Sequence, residues 1–547
     1  MPSDCISFQN SGYFSSLIND YLDQKPNVQP LYHRFPTLEN FGTQIEEKKA
    51  NFPSPTLPEV EGAEINKKNN SCHKRAVLVA ALESQYAKIT ASTATLKNIN
   101  LLNHSNTYTV TTGHQLNLFS GPLYFLYKII STINLTKELQ QKYPEQNFVP
   151  VYWMATEDHD FEEINYFTFK GKKFCWNRES SGPVGRLSTE GLEDFLTIFA
   201  LELGSSTNAE KLKTLFQDAY LKHTNLADAT RYLANALFGD YGLVILDADD
   251  ANLKRQFIPF IKEELKHQTA FSKVNETIQQ FGNYTVQVNP REINLFYIED
   301  DLRERIIFED GLYKINNTKI QFSEQELLAE LERHPEKFSP NVVMRPLYQE
   351  AILPNLAYIG GGGEIAYWLE LKSFFDAVKV TFPILIVRNS VVLATEKQLK
   401  KADALALTWS DLFQKQAQLI NNKTKQLSEF SIDLSDLKQQ LQQQFQALNE
   451  LAAKTDRSFE GAVKAQEVKQ TKGLEQLEKR LLKAQKRKLA DSLSRITALQ
   501  NELFPNQSLQ ERQANFAEFY LENGEQLLPK LIEEIKPLST NFTIITF

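Results

Sequence analysis

The hydrophobic pattern divides this chain into two regimes. Between residues 107 and 389, short β-rich apolar runs alternate with amphipathic helical stretches: YTVTT at 108–112, FVPVYWMAT at 148–156, YGLVILDA at 241–248 and PILIVR at 383–388. Runs that are apolar on both faces suit central strands of a parallel sheet covered by helices, so the pattern predicts an α/β fold with a doubly wound parallel core. YTVQVN at 284, NLFYIED at 294 and RIIFEDGLYKIN at 305 lie close together, and the last contains a turn-like Glu-Asp-Gly. This spacing predicts hairpins, hence a small mixed insertion at about 280–330.

After residue 389 proline vanishes until Pro505, and Leu, Gln, Lys and Ala dominate. Leu405, Trp409, Leu412 and Leu419 alternate by four and three, interrupted by the polar Gln416. Leu434, Leu437, Leu441, Phe445 and Leu448 nearly keep the rhythm, and Leu482, Leu489, Ile496 and Leu503 recur at every seventh residue. A narrow seam of 3.5-residue spacing predicts an antiparallel coiled coil over 390–503 with its turn near 428–435. The last residues, NFTIITF, read as a strand returning to the core, so the expected layout is a core at 1–389, a helical domain at 390–503 and a returning segment at 504–547.

At 547 residues more than one structural unit is expected, and 42% hydrophobic with 23% charged residues is an ordinary globular composition. The net charge of -8 offers no general attraction to nucleic acid or anionic membranes, although residues 396–502 carry 19 Lys and Arg against 14 Asp and Glu. Cys5, Cys72 and Cys175 form neither a C-x-x-C pair nor a zinc pattern, which fits a reducing compartment. The first twenty residues lack a basic start followed by an apolar stretch, and no window reaches the roughly 18 apolar residues of a membrane helix. A cytoplasmic location is therefore expected.

Three stretches could carry chemistry. TTGHQLNLFSGPLYFLYK at 111–128 follows a predicted strand, and Gly113 would permit a tight turn into a helix whose free N–H groups favour phosphate or carboxylate, with His114 and Gln115 as further donors. ATEDHDFEEIN at 155–165 leaves an apolar strand at the sheet edge where ligands bind. It sets His159 among Glu157, Asp158 and Asp160, an arrangement fit for acid–base work or, as a lesser reading, a divalent ion. RPLYQEAILPNLAYIGGGGEIAYWLELK at 345–372 contains four glycines, 360–363, which read as a backbone that turns sharply and lets a ligand approach, with a helix beginning at Glu364. Arg345 is a candidate carboxylate or phosphate clamp, with Glu350 and Tyr367 beside it. Asp247 and Asp249 stand at another strand end and read as helix caps or ribose contacts. A polar turn, a flexible linker and a solvated coiled-coil face are the structural alternatives.

In order and spacing these stretches, with the coiled coil and LFPNQSLQER at 503–512, resemble one family over essentially the whole chain: the cysteine-adding enzymes of bacillithiol biosynthesis, the BshC family. The resemblance implies a Rossmann-like core with connecting insertions, a coiled-coil domain used for homodimerisation, and ligation of cysteine to glucosaminyl malate. Where the family is expected to read Gly-Gln-Gln, this chain has Gly113-His114-Gln115, closer to the histidine-containing phosphate loops of nucleotidyltransferases. Cys and His zinc ligands of the cysteinyl-synthetase kind are missing, and no metal is expected.

Forming the amide requires an activated carboxyl, a free amine and oxyanion stabilisation. On the expected assignment Gly113, His114 and Gln115 hold phosphate or substrate oxygens, and His159 or Asp160, with Asp158 beside them, removes the amine proton. Arg345 and the loop of Gly361, Gly362, Gly363 and Glu364 orient the malate carboxylates, so Gly362→Val should block binding. ATP is the expected energy source. Trp409, Phe413, Phe445 and Phe459 supply apolar faces for a second copy of the chain. The rivals are a nucleotide-binding coiled-coil interaction protein without turnover, and a nucleotidyltransferase acting on another small molecule.

Overall fold

The computed structural model describes residues 5–52 and 67–547, with side chains in the second stretch described from Lys74 onward. Cys72 therefore lies outside the described side chains. Two compact units form, one built around residues 7–392 and 510–545, the other around 393–509.

Five strands make the central sheet of the larger unit: β1 (Thr107–His114), β2 (Asn147–Met154), β3 (Val244–Asp247), β4 (Asn355–Gly360) and β5 (Ile384–Val387). Their order is β5-β4-β1-β2-β3, and every pairing is parallel. The sheet is Rossmann-like, as the apolar runs predict. β4 is the strand the pattern did not announce, because its NLAYIG sequence merges into the glycine run. All eight residues of β1 are buried although four are threonines. Thr109 and Thr111 donate to Asn355 Oδ1 at 3.1 and 2.8 Å, and Thr112 donates to the Ile359 carbonyl at 2.8 Å, so burial leaves these hydroxyls satisfied. Helix Leu38–Asn51 contributes Phe41 and Ile45, and helix Tyr124–Lys142 contributes Leu135 and Leu139, to a core closed by Val110, Leu356, Ile359 and Ile386.

The insertion is a five-stranded sheet in the order Phe338–Pro340, Leu295–Glu299, Leu302–Glu309, Leu312–Ile315, Gln321–Phe322, with every pairing antiparallel. Asp310 and Gly311 turn its central hairpin at positive φ, as Glu-Asp-Gly foretold. Two expectations need correction. The insertion reaches Pro340, and it is mixed only in that helix Glu324–Arg333 is set between strands. Residues 284–289 are no strand, because the N–H groups of Gln287 and Val288 bond the Glu370 carboxylate at 2.6 and 3.3 Å instead of a neighbouring strand. The C-terminal strand Thr543–Thr546 pairs with Val391–Ala394 as a separate two-stranded sheet rather than joining the central one.

In the helical unit the long antiparallel pair is Ser435–Ala452 against Arg457–Lys488, so the reversal lies at residues 453–456, not near 428–435. Asp456 caps the return helix through the Ser458 and Phe459 N–H groups. The earlier stretch is a break in the helix, where Ser428 and Asp433 bond nearby backbone in place of helical partners. The 405–419 seam is likewise interrupted: Ala406 takes a φ of 49° and Thr408 caps the short helix Trp409–Leu412. Trp409, Phe413 and Phe445 are buried, Phe413 against Phe504 and Phe445 against Ala452 and Val463. Of the four aromatics expected to face a second copy, only Phe459 is exposed. Among the described residues no helix is long and apolar enough to cross a membrane.

Candidate functional site

A cavity of about 830 Å³ opens at the carboxyl ends of β1, β2, β4 and β5, where the first three put Gly113 and His114, Glu157 through Asp160, and Gly361 and Gly363 on its wall. This is where the strand order reverses on either side of β1, the position at which parallel α/β sheets bind ligands.

Gly113 belongs to β1 itself, and the helix it was expected to open begins at Tyr124, after a left-handed passage through Phe119, Ser120 and Gly121. Glycine permits a close approach there: a Cβ would stand 3.0 Å from the Tyr358 hydroxyl, which would have to give way, and 3.8 Å from Arg345 Nη1. The His114 ring packs on Tyr124 and Phe125, and its buried Nε2 has no partner among the described residues. Burial first, then the Lys128 and Arg388 charges, pushes its pKa well below the ordinary histidine value, so the imidazole is neutral. Gln115 points its amide at protein carboxylates, Asp158 at 3.0 Å and Glu163 at 2.9 Å, and so braces the loop instead of offering those donors to a ligand.

At His159 the contact made is with an arginine. Arg303 Nη1 is 2.6 Å from Nδ1, while the nearest oxygens of Asp158 and Asp160 are 3.8 and 4.0 Å from the ring nitrogens. A guanidinium can only donate, so Nδ1 accepts and the ring proton sits on Nε2. Asp158 is tied down by the His159 N–H at 2.8 Å as well as by Gln115, which leaves Asp160 the most open carboxylate of the group. The ligating atoms of these three residues lie within 4.8 Å of one another, and the guanidinium occupies Nδ1, one of the two ring nitrogens.

Helix Gly362–Leu369 starts two residues earlier than the pattern placed it, and none of the four glycines has a positive φ. Gly360 is excluded from carrying a side chain by Glu364 Cβ at 2.9 Å. A Cβ on Gly362 would point at Phe14, 3.2 Å away, whereas one on Gly363 would meet nothing within 4 Å. Gly361 and Gly363 line the cavity; Gly362 does not, so its expected substrate contact is corrected. Glu364 receives Lys128 at 2.8 Å, the Tyr358 hydroxyl at 2.8 Å and the Gly361 N–H at 2.8 Å. Burial would raise its pKa, but Lys128 and these donors outweigh it and hold the carboxyl below its usual value.

Arg345 donates to Gln349 at 3.1 Å and to the Tyr367 hydroxyl at 3.4 Å, within reach of the Trp153, Tyr358 and Trp368 rings. Arg345 and Tyr367 both line the cavity. Glu350 does not. It is buried against Lys48 at 3.1 Å, with Gln349 and Asn355 on its other oxygen, and is a structural carboxylate where a substrate contact was expected. Asp249 holds Arg186 through two bonds and Asp247 accepts the Thr156 hydroxyl; the cap of the following helix is Asp250. The sequence reading passed over Lys128, Arg291, Arg303, Arg305, Arg388 and Arg512, all on the cavity wall. Only Arg303 and Arg305 left a readable signal, two arginines at strand spacing and therefore on one sheet face.

Fold and cavity together define a Rossmann-like α/β protein with a cation-rich cleft at the carboxyl edge of its sheet and an attached antiparallel coiled coil. Residues 1–389 match the family model described as bacillithiol biosynthesis BshC, N-terminal Rossmann-like domain, and residues 391–547 match its C-terminal coiled-coil domain. The chain belongs to the bacillithiol biosynthesis BshC family. It is 69% identical over 546 residues, 100% of both chains, to a Flavobacterium johnsoniae protein named "Putative cysteine ligase BshC". Proteins of the same name from Cytophaga hutchinsonii (37% identical, 99% of this chain and 98% of the relative) and Bacillus cereus (30%, 83% and 88%) are also similar.

Proposed function

We propose that the protein is a ligase joining the carboxyl group of cysteine to the amine of glucosaminyl malate, with ATP as the energy source. The observation that carries this reading is the charge of the cavity: seven cationic side chains line it against four carboxylates, Glu157, Asp158, Asp160 and Glu364. Cysteine, a malate group and a nucleotide all bring negative charge to such a site, and the names of the relatives supply the reaction class.

The donors suit acyl transfer. Gly113 and the neutral His114, with the N–H group of Gly363 at the helix start, offer uncharged donors to phosphate or carboxyl oxygens. Gln115 holds that loop in place. Arg345, with Gly361, Glu364 and Tyr367 around it, grips an anionic group near the reacting carboxyl. A bound nucleotide supplies the activation that makes the cysteine carboxyl displaceable. The amine nitrogen then forms the C–N bond, the bond to the activating oxygen breaks and its electron pair stays on that oxygen. Asp160 takes the amine proton, with His159 and Asp158 beside it.

Incubating the purified protein with cysteine, glucosaminyl malate and ATP should yield the joined thiol by mass spectrometry, and omitting any one should abolish it. Nucleotide consumption with cysteine left unjoined would favour a nucleotidyltransferase acting on another molecule. Nucleotide binding with no turnover at all would favour an interaction protein. The helical unit supports a homodimer, since Leu448, Leu451, Phe459 and Val468 expose apolar surface on the coiled-coil pair. Light scattering should give twice the monomer mass, and Leu451→Asp with Phe459→Asp should halve it; a monomeric parent chain at micromolar concentration overturns the pairing.

A further inference from the structure

After Leu503 the chain leaves the heptad rhythm and returns to the larger unit through the short helix Gln510–Gln513. The return is pinned to the passage that follows His114: the Asn515 amide donates to the Phe119 and Gly121 carbonyls at 2.9 and 2.7 Å, and the Leu123 N–H donates to the Ala514 carbonyl at 2.8 Å. Neighbouring residues of that helix then face different ways. Arg512 lines the cavity, while Glu511 is 1% exposed and lies behind the wall. No periodicity accounts for a carboxylate buried there, so its partners decide what it does.

Glu511 Oε1 accepts from Arg388 Nη2 at 2.7 Å and from the Ser390 hydroxyl at 3.1 Å, and Oε2 accepts from the Val391 N–H at 3.2 Å. These bonds tie the carboxylate to the segment leaving β5. Arg388 is fixed on its other edges as well: Nη1 donates to the Asn389 carbonyl at 3.0 Å, the guanidinium carbon stands 4.8 Å from the Tyr124 ring centroid, and the Arg388 N–H donates to the Gly360 carbonyl at 2.8 Å. A Cβ on Gly361 would stand 3.7 Å from Nε, so the guanidinium reaches the cavity beside the glycine run. Burial would drive its proton off, but the Glu511 charge and bond outweigh burial and keep the guanidinium protonated. Lys128 differs, because its carboxylate, Glu364, lines the cavity itself. A ligand can compete for groups on the wall; Glu511 stands out of its reach.

We propose that Glu511 is a positioning residue of the cleft: from behind the wall it holds the Arg388 guanidinium against Tyr124 and Gly361, so that this cation meets a bound anionic group in one orientation. The inference rests on reading the cavity as the ligation site and adds to it a residue that follows the coiled coil in sequence. Without the carboxylate, a buried guanidinium left with a carbonyl and a hydroxyl turns toward water in the cavity, and the orientation is lost although the cation remains. A pair serving stability alone is built as Arg231 and Asp228 are, 3.1 Å apart with neither side chain on the cavity wall.

Two readings on the full chain test this: the rate at which phenylglyoxal modifies Arg388, located by mass spectrometry, and the kcat/KM for joining cysteine to glucosaminyl malate with ATP. In Glu511→Gln, Arg388 should react at least about fivefold faster than in the parent while Arg345 keeps its rate, because only the guanidinium that lost its partner opens to the cavity. Ligation kcat/KM should fall about tenfold or more. The same exchange in an Arg388→Met background should change it less than about twofold, since Glu511 acts through that arginine. Asp228→Asn, which breaks a buried pair away from the wall, should leave both readings at the parent level. Near-UV circular dichroism checks the fold, and Glu511→Asp, which keeps the charge and shortens the reach, carries the test with smaller changes in the same direction should Glu511→Gln unfold. Arg388 as protected as in the parent, or an equal loss of ligation in both backgrounds, overturns the assignment. A parent chain that joins no cysteine sinks the ligase reading, and the reactivity of Arg388 then decides the role of Glu511 by itself. Normal ligation by a variant whose Arg388 has become reactive sinks the positioning role and leaves the ligase reading standing.

Discussion

Replacing Glu350 by Ala separates a structural carboxylate from a substrate contact. In the folded protein its Oε2 faces Lys48 at 3.1 Å, and its Oε1 accepts from Gln349 at 3.0 Å and Asn355 at 2.6 Å. Lys48 is 2% exposed and cannot turn to water, so truncating its partner strands a buried ammonium and two amide donors together. Breaking one side of a buried pair costs about 3–5 kcal/mol, and the orphaned amides keep the expectation at the upper end. Urea unfolding of the larger unit, followed by the emission of Trp153, Trp176 and Trp368, reads the loss. Lys48→Met combined with Glu350→Leu should recover part of it, because that exchange removes both charges and fills the volume. A shift below about 0.5 kcal/mol in Glu350→Ala, accompanied by lost substrate affinity, would refute the reasoning and return Glu350 to the site.

Two further outcomes are expected. Glu370 is fully buried, bonded among the described residues by the Gln287 and Val288 N–H groups, and burial pushes its carboxyl from 4.5 to about 7. Between these values the folded chain binds the extra proton, so this contribution is fully present below pH 4.5 and is lost as pH rises through 7, with an upper bound of roughly 3 kcal/mol. Stability measured from pH 5 to 8 should fall less steeply in Glu370→Gln, and parallel curves would discount the group. Gly363→Val should lower substrate affinity with little loss of stability, because the added side chain enters open cleft. Gly362→Val should do the opposite, costing about 1–3 kcal/mol against Phe14; equal substrate loss in both would restore the earlier view of the whole run as a contact loop.

Strands apolar on both faces were legible because burial on two sides leaves a continuous run, and the 310–311 turn because only a few residues accept its dihedrals. β4 was not, since glycine at its end conceals the strand that places it. Heptad spacing predicted the coiled coil but misplaced its reversal: the serine- and acid-bearing stretch at 428–435 looks like a turn, and the real one, 453–456, is short and without glycine or proline. The acidic cluster around His159 was visible, while the arginine that contacts the ring comes from another sheet 144 residues away, a pairing no local pattern encodes. Gly113 was found for the wrong reason. A strand-to-helix turn and a close approach to Tyr358 both favour glycine, and sequence alone does not separate them.

Helix Arg345–Ile352 shows how a core carboxylate came to look like part of the site. Arg345 stands at the helix start facing the cleft, Gln349 lies one turn later on the same side, and Glu350 follows it into the core. Bonds run continuously from the cleft inward: Tyr367 to Arg345, Arg345 to Gln349, Gln349 to Glu350, and Glu350 to Lys48 and Asn355, which β1 holds through Thr109 and Thr111. A guanidinium left to itself in a cleft ringed by aromatics would sample several rotamers. Anchored through Gln349 to a carboxylate that is itself fixed to the strand carrying Gly113, its fork keeps one orientation relative to the β1 end, the geometry a carboxyl group positioned for attack requires. On the proposed function, the residues of this motif that lie behind Arg345 set the angle at which it would meet substrate.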